Sequence, residues 1–171
     1  MSDEEMVDIV DENNNFLYSS SKSEAHHKGL LHQTVIAEYI NSKGQWCMVK
    51  QASDRQDAGQ FVNPVGGHVR SGETLIEALK REASEEIGIE DAEYKYVDKA
   101  IYNRNILGRQ ENHYFILYEI YCDKEPCLNK ESASYQWFSL DELKKEIKNN
   151  PKVFGDGLYF VLKNFYPALL E

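Results

Sequence analysis

Hydrophobic and polar residues alternate with a period of two along much of this chain and fall on helical spacing in three places. Val7–Val10 and Phe16–Ser20 are short strand-like runs on either side of the polar turn 11–15. Thr34–Ile40 and Gln45–Lys50 are two more, and Asn41-Ser42-Lys43-Gly44 between them predicts a hairpin. Gln51–Gly59 is polar and reads as a loop. Phe61–Val69 is extended but interrupted by Pro64 and by Gly66-Gly67. Tyr94–Asn103 and Asn112–Tyr121 read as long strands rich in Tyr and Ile, with a loop between them, and Ser134–Phe138 as a shorter strand.

Thr74–Ile87 is the clearest helix. Thr74 can cap it, Glu77 three residues on completes a capping box, and Gly88 is a natural stop. Ile76, Leu79, Ala83 and Ile87 form its apolar stripe. Ser139 and Glu142 make a second box ahead of Leu143 and Ile147, and Pro151 ends that helix. Gly157–Asn164 reads as a last, aromatic helix. The histidine-rich segment Glu24–Leu31 matches neither period. Strands and helices are intermixed without a regular repeat, so the expected fold is α/β, a mixed sheet between helices. One domain over residues 1–171 is expected, with 1–30 as an N-terminal hairpin or extension and 31–171 as the core.

Charge narrows the partners. The 171-residue chain carries a formal net charge of −10. That excess argues against polymeric nucleic acid and anionic membrane surfaces. A small anionic substrate stays compatible, because a metal ion can invert the field at one site. No apolar run reaches the ~18 residues of a membrane span. The acidic start, with Asp3, Glu4 and Glu5, is the wrong sign for a signal peptide. Cys47, Cys122 and Cys127 read as free thiols, and that odd, low count points to a reducing, cytoplasmic setting.

The segment Gly67–Ile89 carries the chemistry. On a helix, Glu82, Glu85 and Glu86 lie at i, i+3 and i+4 and share an arc of roughly 100°. Three carboxylates together repel one another unless a hard cation joins them, Mg²⁺ first and Mn²⁺ close behind. Glu73 is a natural partner for Arg81. The competing interpretation is a solvated acidic helix face.

Gly67, Glu73, Arg81, Glu82, Glu85, Glu86 and Gly88, with Ala83 and Ile89 at apolar positions, resemble the Nudix box of the Nudix hydrolases at every fixed position. The resemblance implies an α/β/α sandwich, the Nudix fold. It also implies a metal-dependent enzyme that cleaves a pyrophosphate bond in a nucleoside diphosphate or nucleoside-diphosphate-linked small molecule. It makes Glu82, Glu85 and Glu86 the Mg²⁺ ligands, with the Gly67 carbonyl completing the set, and Glu73 with Arg81 a structural pair. The general base is Glu111, Glu85 or Glu82. Arg70, Arg104 and Arg109 are candidates for lining the site, against the alternative of solvated loops.

Further stretches are similar to a Nudix-fold relative, isopentenyl-diphosphate isomerase: VDIVDENN, KGLLH, the GGH before the box, and YQWFSLDEL. That likeness brings His32, His68 and His113 toward the site and raises a second, histidine-containing metal site with Glu111. His26 and His27 read as ordinary polar residues. The isomerase has a proton-moving cysteine just before the glycine-histidine pair, where this chain has Gly66, so hydrolysis is the expected reaction and isomerisation the alternative.

Overall fold

The computed structural model describes residues 4–55, 57–106 and 108–171, with the side chains of Ile106 and Arg109 outside the description. Strands β1 (Met6–Val10) and β2 (Phe16–Ser21) form an antiparallel ribbon. Helix α1 (Lys22–Lys28) follows. Its ends carry the signals seen elsewhere: the Ser21 hydroxyl accepts from the Glu24 amide, and Gly29 closes it in a left-handed conformation. The histidine-rich segment is therefore a short capped helix.

The spine is β3 (His32–Ile40), which pairs in parallel with β8 (Arg109–Tyr121) from His32 opposite His113 to Ile40 opposite Tyr121. β4 (Trp46–Gln51) continues the predicted hairpin, and β6 (Val65–His68) pairs antiparallel with β3. β5 (Phe61–Val62) and β9 (Ser132–Phe138) flank β4. One parallel pair among antiparallel ones makes the sheet mixed, as expected.

β3 is buried on both faces, so its alternation sorts two cores. Val35, Ala37 and Tyr39 pack with Leu79, Ala83 and Ile87 of α2 (Leu75–Ile87). Ile36 packs with Phe115, Leu117 and Val161, the last from α4 (Asp156–Phe165). Ile40 joins Leu143 and Ile147 of α3 (Leu140–Asn149) and Leu158 of α4. Helices thus cover both faces of one sheet.

Two expectations change. Ile76 is 39% exposed in the first turn of α2, and Ala78 is buried in its place. β7 (Glu93–Ile106) and β8 run further into the hairpin tip than predicted: Arg104 pairs with Glu111, and Asn105 with Gln110. These polar residues are held in strand by ladder pairing, which outweighs their weak strand preference. Among the described residues no helix is long and apolar enough to cross a membrane, and the three cysteines are free.

Candidate functional site

The loop from β6 into α2 is organised by Arg81. Its Nε donates to Glu73 Oε2 at 2.7 Å and its Nη2 to Glu73 Oε1 at 2.9 Å. Nη2 also reaches the His68 carbonyl at 3.0 Å, and Nη1 donates to Glu82 Oε1 at 2.6 Å. One planar guanidinium therefore ties the loop, the strand end and the helix together, which a point charge could not do. These hydrogen bonds hold the Glu73 carboxyl below the ordinary glutamate range. Glu73 Oε1 also accepts from the Arg70 amide, while the Arg70 side chain is exposed and lies 3.8 Å from Glu5.

The three box glutamates differ in surroundings. The Glu85 side chain is 53% exposed and lies 3.7 Å from Arg81, whereas Glu82 is 12% exposed. Glu86 turns inward and accepts from the Gly66 amide at 2.7 Å. Burial pushes its carboxyl up to about 9 and also raises Glu82. Buried carboxyls held near one another in this way are poised to give up protons to a divalent cation. A Cβ at Gly67 would land on the Glu82 carboxylate, so glycine leaves that carboxylate the place it holds against Arg81.

A second group stands beside the box. His26, His32, His68 and His113 offer ring nitrogens that all lie within 4.8 Å of one another. Their centroids are 4.8 Å apart for His32 and His113 and 5.0 Å for His32 and His68. His32 Nδ1 sits 2.8 Å from the Leu30 carbonyl, which can only accept, so Nδ1 carries the proton and Nε2 keeps its lone pair. Burial pulls His32 down to about 4, and burial with the neighbouring imidazoles pulls His113 well below its usual value. These rings are neutral at pH 7. Among the described residues, Nε2 of His32 and of His113 is buried with no hydrogen-bond partner. Four converging imidazole nitrogens fit a first-row transition metal such as Zn²⁺, while the oxygen ligands of the box fit Mg²⁺ better.

Both groups meet at one cavity of about 260 Å³, whose lining includes Gly67, His68, Glu86, Glu111 and His113. Arg104 also lines it, 3.6 Å from Glu111 and 3.9 Å from Asp156. Arg104 and Glu111 are thus strand residues at the cavity, not members of a loop. Arg109 opens β8, and its side chain falls outside the described residues.

Sequence reasoning passed over His26, which is 9% exposed and sits inside the histidine group. A signal was present: Ser21 with Glu24 three residues on, and Gly29 after the segment, are the same cap pair that marked the later helices. It also passed over Thr34, Asn63 and Tyr102 on the cavity wall, which have no local signature.

Fold and comparisons agree on the class. The crystal structure of DR0079 from Deinococcus radiodurans superposes with a TM-score of 0.70 at 22% identity, covering 93% of this chain and 98% of that one. Residues 30–156 match the NUDIX domain. The chain belongs to the Nudix family. It is 33% identical over 157 residues to isopentenyl-diphosphate Delta-isomerase 2 of Photorhabdus laumondii, covering 88% of this chain and 86% of that protein. It is also 33% identical over 138 residues to an uncharacterized Nudix hydrolase of Nostoc, covering 76% and 77%.

Proposed function

We propose that this Nudix-family protein hydrolyses a pyrophosphate bond in a nucleoside diphosphate or nucleoside-diphosphate-linked small molecule, by attack of water on phosphorus. The observation that carries the reading is the Arg81 clamp, which fixes the intact box beside the cavity that Glu86 and Gly67 line. Glu82, Glu85, Glu86 and the Gly67 carbonyl are the residues that would hold Mg²⁺, with Mn²⁺ as a substitute. The bound ion would screen the anionic substrate and stabilise charge developing on the phosphoryl oxygens. Glu111, Glu85 and Glu82 are the candidates to take the proton from water. Glu85 is the most open of the three, and Glu111 the one facing both Arg104 and the histidines. The acidic surface suits neither polymeric nucleic acid nor an anionic membrane as partner.

A panel of nucleotides and nucleotide conjugates with Mg²⁺ or Mn²⁺, scored by product identity, tests this. Turnover is expected to vanish on chelation while the circular dichroism spectrum persists, and to fall by orders of magnitude in Glu86→Gln. Undiminished turnover in that variant would sink the reading.

The isomerase reading has one specific support, the histidine group, together with the name of the Photorhabdus relative. Against it stands Gly66 at the cavity wall, which has no side chain to move a proton. Conversion of isopentenyl diphosphate to its dimethylallyl isomer by the metal-loaded protein would decide for it.

A further inference from the structure

Two carboxyl groups are buried on the face of the sheet turned away from α2. On β3, Val35, Ala37 and Tyr39 pack toward α2, while Ile36 and Ile40 pack toward α4 and α3. Glu38 stands between the latter two, so the alternation of the strand puts it on their side. Glu119 lies opposite it on β8. The two residues are 0% and 9% exposed. The side chains acting on Glu38 are Asn63 and Glu119, and neither is a cation. Two like charges side by side in a buried setting do not both persist, so one proton stays with the pair.

The hydrogen bonds say which carboxyl keeps it. Both Glu119 oxygens accept hydroxyls, from Tyr121 at 2.5 Å and from Tyr166 at 2.7 Å, and such donors favour the charged form. Glu38 Oε1 accepts from Asn63 Nδ2, while Glu38 Oε2 is buried with no hydrogen-bond partner among the described residues. The proton therefore belongs on Glu38, whose carboxyl is pushed up to about 8, chiefly by burial. Around it, burial pushes the Cys47 thiol of β4 up to about 12, and the bond to Glu119 pushes the Tyr121 hydroxyl to about 12 as well. Burial also holds the Tyr166 hydroxyl well above its usual range. As pH rises, Glu38 is the first of these groups to give up a proton. The reaction proposed above uses none of them.

The pair joins two parts of the fold. On one side Asn63, which also lines the cavity, holds Glu38. On the other, Tyr166 follows α4 and leads into the turn Pro167–Leu170. Leu169 and Leu170 of that turn pack with Ile40, Trp46 and Leu143, and the Tyr166 ring meets Trp46 edge-on with centroids 4.7 Å apart. No strand holds this segment. Its backbone bonds run from the Tyr166 amide to the Leu162 carbonyl and from the Leu169 amide to the Tyr166 carbonyl, each at 3.0 Å. Glu38 sits in the central strand, whereas Glu119 is the nearer of the two to water and Tyr166 is bonded to it. Repulsion between the two would thus move residues 166–170 before it moved β3.

We propose that Glu38 and Glu119 form a one-proton latch on residues 166–170: while the proton is held the segment stays closed over Trp46, and when it leaves, Glu119 turns out to water and the segment lets go. The change is one proton passed from Glu38 to solvent, with no bond of the chain made or broken. The folded value of Glu38 lies above its ordinary 4.5, so the closed form is favoured on the acid side and loses ground as pH rises.

The test is the methyl NMR spectrum of the full chain, followed from about pH 6 to about pH 9.5. The methyls of Leu169 and Leu170 should pass from the dispersed positions of packed side chains to those of solvated ones. The open population should rise from below about a tenth to above about a half. The methyls of Leu79, in the core under α2, should stay in place over the same range. Glu38→Gln is neutral at every pH and can still accept from Asn63, so it should keep the segment closed throughout. If it does not fold, Glu38→Met, which also has no proton to lose, carries the same comparison. A merely structural role for Glu38 would lower the melting temperature of these variants and leave the pH response of Leu169 and Leu170 as it was. The proposal is overturned if those methyls do not move in the natural protein, or if they move equally in the neutral variant. Movement of Leu79 together with them would also overturn it, because the whole fold would then be opening and not the segment.

Discussion

Gly67 and Glu82 compete for one volume: the hydrogen that Gly67 carries in place of a side chain is what gives the Glu82 carboxylate its room. A Cβ at that position would displace the carboxylate from the place it now holds. Gly67→Ala should push Glu82 away from Arg81 and disturb the proposed ion site. Turnover should drop by about tenfold or more, and the Mg²⁺ concentration for half-maximal rate should rise. A metal titration of initial rates checks both.

Arg81→Lys preserves the charge but not the fork. A lysine can reach Glu73 or Glu82, but cannot make the parallel pair to Glu73 while also meeting the His68 carbonyl. A loss of about 1–2 kcal/mol is expected, reduced from the fully buried case because the pair is partly solvated. Urea unfolding at neutral pH measures it.

The histidine group should take up a transition metal independently of the box. Protein incubated with Zn²⁺ or Co²⁺ and desalted should retain about one ion per chain, read by elemental analysis or by the visible spectrum of Co²⁺. His113→Ala should weaken retention by about tenfold or more, while Glu85→Gln should leave it unchanged. Retention lost equally in both variants would argue against two separate centres.

Glu38 should make stability fall with rising pH. Its folded carboxyl is pushed up to about 8 from an ordinary value of 4.5, chiefly by burial, with Glu119 adding to it. Between those values the unfolded chain loses the proton and the folded chain keeps it, so the folded state binds more protons and is favoured by acid. The full benefit is present below about pH 4.5 and is lost as pH rises to about 8. Glu38→Gln removes the dependence. Its melting temperature should exceed that of the natural protein at pH 9, by an amount corresponding to roughly a few kcal/mol, and the difference should shrink at pH 5. Parallel melting curves across that range would show the effect or its absence.

The box and helices α2 and α3 were legible because their signals are local. Thr74 and Ser139 cap within one turn, and Leu79, Ala83 and Ile87 repeat at helical spacing. The tip of the β7–β8 hairpin was not, because Arg104, Asn105, Gln110 and Glu111 are polar residues made strand by their partners across the ladder. The histidine group was legible in part. His32, His68 and His113 came from the likeness to a known family, while His26 was read as an ordinary polar residue, and the meeting of His32 with His113 depends on a parallel register between residues far apart in sequence. Glu38 inside the core had no signature at all: within an otherwise apolar strand, a single glutamate gives no sign of which side chain it supports.

The parallel β3–β8 register has a consequence for the order of assembly. His26, His32, His68 and His113 arrive on a helix and three strands, and the last is joined to the others by the most non-local pairing in the site. Closing so long a loop is slow and comes at a high entropic cost. A nascent chain that has made β3 and β6 holds three of the four imidazoles, and the fourth comes only once β8 has docked. An ion retained by all four would mark chains whose central sheet is complete, and its affinity would add to the stability of those chains alone.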